Sequence, residues 1–488
     1  MSLTSSATSL AAQIREREIS PLEVVQACID RIEEVNPFIN AMVAQRFDLA
    51  LREARLAERF LQRSRKKKSL PPLFGVPCTI KEFFAVSGMP STGGLLSKKD
   101  NVLFHDATVV ARLKAAGAIV LGVTNAPEGG LWMETYNAVY GRTNNPWDPR
   151  RTSGGSSGGE AALIACGASP FGIGSDVGGS IRIPAAFCGI AGHKPTGGLI
   201  PNTGHTPGGK GESGRFLVSG PLTRRVTDLW PLLQILAGAD GHDPSTLANG
   251  PDLVGLKRSN PALPGELDFS EITVVPMETN GRTRVNAAMR GEVARCAQVL
   301  EDRGARIKQV ELPHMRHAME IWSAMLSEVS TIDYTDILGN GKPVRLMREL
   351  AALPFGRSNH TMAALVLLGV SRVVEKLPNQ LGRFIEEGQA LQAEIEEVLG
   401  PNGVLLHPPY SRPAPYHGGA WSTPFDVACT AIFNVLEFPG TQVPTTFDKR
   451  NLPLGVQVIG ARGQDRLTIG VAAALEEELG GWKPAFVS

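Results

Sequence analysis

Three residues of the 488-residue chain carry the side chains that acyl chemistry needs: Lys81, Ser156 and Ser180. Ser156 lies in Gly154-Gly155-Ser156-Ser157-Gly158-Gly159, and Ser180 closes Gly174-Ser175-Asp176-Val177-Gly178-Gly179-Ser180. Nine glycines fall between Gly154 and Gly179, both included. Glycine at that density costs backbone entropy on folding, so a packed domain seldom carries it idly. Successive N–H groups in the second loop can converge on one point and hold a carbonyl oxygen as it becomes an oxyanion. Ser180, at the end of that loop, would stand beside the electrophilic carbon. A tight turn with a capping serine uses the same residues equally well.

A serine hydroxyl needs a base. Gly154-Gly155-Ser156-Ser157-Gly158 fits the G-x-S-x-G pattern of a nucleophile elbow, which would call for histidine, and His407 and His417 satisfy that on spacing alone. The elbow also needs an apolar strand leading into it. Here Asn144-Asn145-Pro146-Trp147-Asp148-Pro149-Arg150-Arg151 leads in, which reads as loop. Lys81 is the better base. It follows Val76, Pro77, Cys78 and Ile80, a strand end at the edge of the core. Burial there lowers a lysine from its ordinary ~10.4 toward neutrality. The structural alternative pairs Lys81 with Glu82 or another carboxylate. A phosphate-binding helix start is disfavoured, because Glu160 rather than lysine follows Gly159, and a carboxylate in the first turn repels phosphate.

The elements that must position these residues alternate between strand and helix. Val76 to Ile80 and Ala118 to Val123 read as strands, with a helix from Ala107 to Ala116 between them, ended by Gly117. A helix over Glu160 to Cys166 and a strand over Pro170 to Ile173 separate the two glycine loops. Upstream, Ser20-Pro21-Leu22-Glu23 opens a helix with a capping box and a first-turn proline, and Asn36-Pro37 is expected to stop it. Residues 245–425 read as long amphipathic helices, such as Val285 to Arg303 and Leu381 to Leu399, with proline joints at Pro354 and Pro408-Pro409. Gly455 to Gly460 and Asp465 to Leu479 return to strand and helix. The pattern predicts an α/β fold with a largely parallel or mixed sheet.

Composition excludes several classes. A net charge of +1 offers no global field for nucleic acid or membrane surfaces. The run Arg63-Ser64-Arg65-Lys66-Lys67-Lys68 reads as a solvated helix end and loop, with a lipid-headgroup or nucleic-acid contact as the alternative. Six scattered cysteines, Cys28, Cys78, Cys166, Cys188, Cys296 and Cys429, suit reduced buried thiols in a cytoplasmic protein. They make no zinc pattern, and His314-Met315-Arg316-His317 lacks the order of a metalloprotease helix. Met1 to Ser9 is small and polar, so no secretory signal is expected. Met362 to Val370, the longest apolar-leaning run, is too short to span a bilayer and reads as a core helix, or as a wall of a substrate channel.

Lys81, the loop Gly154 to Gly159 and the loop Gly174 to Pro184 resemble the three core elements of the amidase signature family, and the resemblance covers nearly the whole chain. It implies that family's α/β fold, a large central mixed β-sheet flanked by helices on both faces, with a helical insertion. It implies one amidase domain over 1–488: N-terminal helices over 1–70, a catalytic core over 71–245, a helical insertion over about 246–425 lining the substrate pocket, and a return to the core sheet over 426–488. It implies a Ser-Ser-Lys triad, with Ser180 the acylated nucleophile, Ser156 a bridging serine after a cis peptide bond, and Lys81 the base. Backbone N–H groups of Val177, Gly178, Gly179 and Ser180 would form the oxyanion hole, with Asp176 and Arg182 organising the loop. Gly130, Leu131 and Met133 would line the acyl pocket, although core packing explains Leu131 equally well. No metal or organic cofactor is implied.

Lys81-Glu82 followed by Ser87-Gly88-Met89-Pro90 is similar to the fatty-acid amide hydrolase branch, second type. The expectation is therefore a soluble hydrolase of small-molecule amides with an apolar acyl or amine part, extending to esters. No nucleic acid and no stable membrane insertion are expected, and a homodimer is left open. The rival within the family is the amidotransferase of tRNA-dependent glutamine formation, whose amidase component works with partner subunits on misacylated tRNA. That component usually carries Asp-Gln before a Gly-Pro step, where this chain has Phe216-Leu217-Val218-Ser219-Gly220-Pro221.

Overall fold

The computed structural model describes residues 4–63, 70–208, 213–255, 267–329, 334–374 and 381–485. Most of the basic run, from Ser64 to Lys68, lies outside the described residues. The strands of the central sheet are β1 (Met42–Gln45), β2 (Pro77–Lys81), β3 (Ile119–Thr124), β4 (Phe171–Asp176), β5 (Ala191–Lys194) and β6 (Val218–Thr223), then β7 (Thr273–Pro276), β8 (Arg306–Ile307), β9 (Gly403–His407), β10 (Gly440–Phe447) and β11 (Pro453–Ile459). They form one eleven-stranded sheet in the order β1-β3-β2-β4-β6-β5-β10-β11-β9-β7-β8. The sheet is mixed: β3, β2 and β4 are mutually parallel, while β6, β5, β10, β11 and β9 pair antiparallel in turn.

Alternation along the strands explains why helices cover both faces. In a strand, successive side chains point to opposite sides. Val120 joins one apolar cluster while its neighbours Ile119 and Leu121 join another. Val404 and Leu406 share the first cluster, and Leu405 lies in a third on the far side. The first cluster is closed by helices Ala7–Glu16, Leu229–Leu236, Ala287–Asp302 and Asp465–Leu479. The opposite face is covered by Pro21–Ile39, Gly158–Ala165 and Arg182–Cys188 at one end, and by Ala318–Val329, Leu381–Leu399 and Ala428–Val435 at the other.

Four local expectations change. The stretch 246–425, read as a helical insertion, also supplies β7, β8 and β9 to the central sheet. Apolar runs as short as Thr-Val-Val-Pro and Gly-Val-Leu-Leu-His cannot be told from buried helix by periodicity. Residues 1–70 are likewise not helical throughout, since β1 forms the sheet edge beside β3. The helix from Pro21 runs through Pro37 to Ile39, because a proline in the last turn removes only a terminal bond. Asn40, in a left-handed conformation, closes that turn with its N–H on the Asn36 carbonyl at 2.8 Å. Finally, residues 144–152 are a two-stranded ribbon, Asn144–Asn145 against Asp148–Thr152, outside the central sheet. The first glycine loop is therefore not entered from a core strand, as an elbow requires.

Candidate active site

Lys81 is the last residue of β2 and is fully buried. Its neighbours β3 and β4 hold it in register on both sides. Its Nζ lies 2.7 Å from Ser156 Oγ, 3.0 Å from Ser157 Oγ and 3.0 Å from Ser175 Oγ. The Phe83 ring centroid stands 4.7 Å from the same nitrogen. Burial among these groups lowers the lysine to about 7, against the pull of Asp176 and Glu160, which raise it. Glu82 does not pair with Lys81. Its carboxylate receives the N–H groups of Thr92 and Gly93 and the Tyr140 hydroxyl.

The carboxylates nearest the lysine are engaged elsewhere. Glu160 accepts from Thr79 Oγ1 at 2.6 Å and from Thr124 Oγ1 at 2.8 Å, and burial pushes it up to about 8. Asp176, at the end of β4, is the hub of the second glycine loop. It receives the N–H groups of Gly179 at 2.6 Å and Ile181 at 3.0 Å, and a two-point contact from the Arg182 guanidinium. Burial alone would raise its pKa. The Arg182 charge and these hydrogen bonds outweigh burial and hold it well below the usual carboxylate range. Arg182 in turn reaches Asn434 Oδ1 at 2.6 Å and Gln457 Oε1 at 3.0 Å, which ties the loop to helix Ala428–Val435 and to β11.

The peptide Gly155–Ser156 is cis. The Ser157 N–H donates to the Ser180 carbonyl at 3.2 Å, so the two glycine loops lie against each other. Exposure rises across the site: Lys81 is at 0%, Ser156 at 4%, and Ser180 is partly open to solvent. Of the four N–H groups expected to face an oxyanion, that of Gly179 is taken by Asp176. Those of Val177, Gly178 and Ser180 have no partner among the described residues. The loop is held from behind by Thr430 Oγ1, which donates to the Gly178 carbonyl at 2.6 Å, and by Trp322 Nε1, which donates to the Val177 carbonyl at 3.0 Å.

Gly130 stands beside the lysine cluster: a Cβ there would fall 3.0 Å from the Phe83 ring and 3.9 Å from Ser156 Oγ. Leu131 packs with Leu338, Leu365 and Leu368 from the helical stretch. Met133 is buried with Ile183, Phe187 and Tyr410. The structure thus sets these three residues in different surroundings. His407 and His417 turn ring nitrogens to the carbonyls of Pro408 and Pro149, not to a serine of this cluster. Ser157, Ser175, His205 and Trp322 join the site without having been singled out by the sequence. Ser157 and Ser175 sit inside the two glycine loops, so their signal was the loops themselves. His205 and Trp322 carry no spacing signal, since chain folding alone brings them here.

Sequence and structure relatives place the chain in a family. A family model described as Amidase matches residues 23–469. Fatty-acid amide hydrolase 2-A of Danio rerio is 38% identical, covering 98% of this chain and 89% of that one. A glutamyl-tRNA(Gln) amidotransferase component of Oleidesulfovibrio alaskensis is 30% identical, covering 97% of both. The solved structure of a bacterial aryl acylamidase of the amidase signature family superposes with a TM-score of 0.78 at 26% identity, covering 97% of this chain and 96% of that one. On a family match of this extent, relatives aligned nearly end to end and a shared mixed sheet, the chain belongs to the amidase family and is an amide hydrolase.

Proposed function

We propose that the chain hydrolyses small-molecule carboxamides or N-acyl and N-aryl amides with an apolar acyl or amine part, through an acyl-enzyme on Ser180. The observation that carries the mechanism is the buried Lys81, lowered to about 7, with its amine 2.7 Å from Ser156 Oγ. A lysine so tuned is half neutral near pH 7 and can accept a proton. Neutral Lys81 takes the Ser156 proton, Ser156 takes the Ser180 proton, and Ser180 Oγ attacks the amide carbonyl. The N–H groups of Val177, Gly178 and Ser180 receive the oxyanion; each such donor contributes on the order of 3 kcal/mol. The relay then runs outward, from Lys81 through Ser156 to the leaving nitrogen. Water, deprotonated by the same relay, releases the acid and restores Ser180. The rise in exposure from Lys81 to Ser180 suits such a path.

The apolar substrate class draws support from the surroundings of the loop. The Trp322 ring, Val427 and Ala431 surround Gly178, where a Cβ would come within 3.5–3.7 Å of them. The relative named a fatty-acid amide hydrolase is also more similar to this chain than the one named as part of an amidotransferase, 38% against 30% identical. Activity on the corresponding esters follows from the same acyl-enzyme. The six cysteines are buried and free, which suits a reducing, cytoplasmic setting. Among the described residues no helix is long and apolar enough to cross a membrane.

The test is hydrolysis of acyl p-nitroanilides by the purified chain alone. Turnover that rises with acyl-chain length, together with loss of fluorophosphonate labelling in Ser180→Ala, is expected. No turnover without partner proteins would favour the amidotransferase reading, and labelling retained in Ser180→Ala would remove Ser180 as nucleophile.

A further inference from the structure

Lys81 has three hydroxyl neighbours, and its protonation state decides what it can do with them. An ammonium has three N–H donors, enough for all three. A neutral amine has two donors and one lone pair. To act as a base it must present the lone pair to Ser156. If Ser157 or Ser175 donated its own hydroxyl proton to the nitrogen, the lone pair would be occupied and Ser156 would face an N–H. Something must fix the direction of those hydroxyls.

The structure fixes Ser175 through His205. His205 is buried, with its ring nearly perpendicular to those of Phe83 and Phe84 at centroid distances of 5.7 and 4.8 Å. Its Nδ1 is 2.6 Å from the Pro207 carbonyl, which can only accept, so Nδ1 carries the proton. Burial first, and the Lys81 charge second, hold the ring near 3 against the Pro207 hydrogen bond, so the ring is neutral. Nε2 is therefore bare, and at 2.9 Å it accepts the Ser175 hydroxyl. With its hydrogen engaged by His205, Ser175 Oγ can only accept from Lys81 at 3.0 Å. Ser157 has its own outlet: its hydroxyl reaches the Ser175 carbonyl at 3.4 Å, and its Oγ accepts the Ser175 N–H at 3.4 Å. With both amine hydrogens directed to Ser157 and Ser175, the lone pair is left for Ser156, the nearest of the three.

We infer that His205 is a positioning residue which, by holding the Ser175 hydroxyl as an acceptor, aims the lone pair of neutral Lys81 at Ser156. The inference rests on Lys81 as the base proposed above. It also accounts for the reverse step. When Lys81 takes the Ser156 proton, the new N–H already points at Ser156, and neither Ser157 nor Ser175 has to turn. The dipoles around the lysine are in place before and after transfer, so reorganisation is small.

The experiment measures kcat and KM on a medium-chain acyl p-nitroanilide, with thermal unfolding as the check on folding. His205→Phe keeps the packing and removes the acceptor. Its Ser175 hydroxyl is free to donate to Lys81, so kcat is expected to fall roughly ten- to hundredfold, less than the ~10²–10⁴ lost with the whole base because the base remains but is misdirected, with KM little changed. His205→Gln supplies an acceptor and a donor in the same order and is expected to keep most of kcat. The decisive variant is His205→Phe with Ser175→Ala. Removing the misdirected hydroxyl is expected to raise kcat above that of His205→Phe, to the level of Ser175→Ala alone. A residue that mattered only for packing would give a double variant worse than either single one. Wild-type kcat in His205→Phe, a double variant no better than His205→Phe, or a folded but inactive His205→Gln would each overturn the inference. Lys81→Met retaining wild-type kcat would instead overturn the reading of Lys81 as base, and this inference with it.

Discussion

Lys81 combines two properties that oppose each other energetically: it is fully buried, and in the proposed relay it changes charge during each turnover. Its pKa falls from 10.5 to about 7 because burial penalises the ammonium more than Asp176 and Glu160 favour it. Rate and stability both inherit a pH dependence from that shift. The kcat/KM of the enzyme is expected to rise about tenfold per pH unit up to about 7 and then level off, since the free enzyme needs neutral lysine. A flat profile from pH 5 to 9 on an acyl anilide would remove the lysine base. For stability the sign is the reverse of a favourable ion pair. Below about 7 both folded and unfolded lysine are protonated and the folded state carries the full penalty; the penalty fades as pH rises from about 7 to 10.5. Lys81→Met is therefore expected to be more stable than wild type at pH 6 in urea unfolding, with the gap narrowing toward pH 10.

Elements, rather than single residues, decide where the loops sit. The second glycine loop leaves β4 at Asp176 and enters helix Arg182–Cys188, and it can make that turn only because Gly179 adopts φ 123°. A Cβ at Gly179 would meet Thr430 Oγ1, whose bond to the Gly178 carbonyl holds the loop. Gly179→Ala is expected to slow fluorophosphonate labelling of Ser180 on the order of 100-fold, the size of one lost oxyanion donor. Labelling at the wild-type rate would show that the loop tolerates the shift. Helix Pro21–Ile39 offers a contrast far from the chemistry. Its capping box satisfies the Glu23 and Ser20 N–H groups reciprocally. Ser20→Ala is expected to cost about 1 kcal/mol of unfolding free energy with unchanged kcat, read by urea titration.

At the scale of the molecule, the site is a junction. The Asp176–Arg182 pair, both side chains at 0% exposure, joins the second glycine loop to Asn434 and Gln457 from the C-terminal part of the chain. Removing one partner of a buried pair leaves the other charge uncompensated. Asp176→Ala is expected to destabilise the protein by about 3–5 kcal/mol and to abolish activity, by urea unfolding and anilide assay. Loss of activity with unchanged stability would mean instead that the pair serves the chemistry alone. A second tie links the site to the helical stretch: Glu128, two residues before Gly130, receives the Thr361 N–H at 2.7 Å and contacts His360 Nδ1 at 2.7 Å.

The alternation of apolar runs and helix signals is enough to read an α/β fold, because period and capping are local. The capping box at Ser20, the helix Leu381–Leu399 and the strand that ends at Lys81 are all written in neighbouring residues. The glycine loops and the lysine are legible for the same reason: each motif is contiguous and carries its own chemistry. What stays hidden depends on distance along the chain. β7 and β9 are indistinguishable from helix until a sheet edge is there to pair with them. His205 is 124 residues beyond Lys81 in number and has no motif of its own. Only the tertiary structure brings its ring to Ser175 and, through it, to the lysine. Sequence by itself determined which groups could move a proton. The burial that lowers Lys81 toward neutrality, and the hydrogen bonds that surround its amine, exist only once the chain has packed around them.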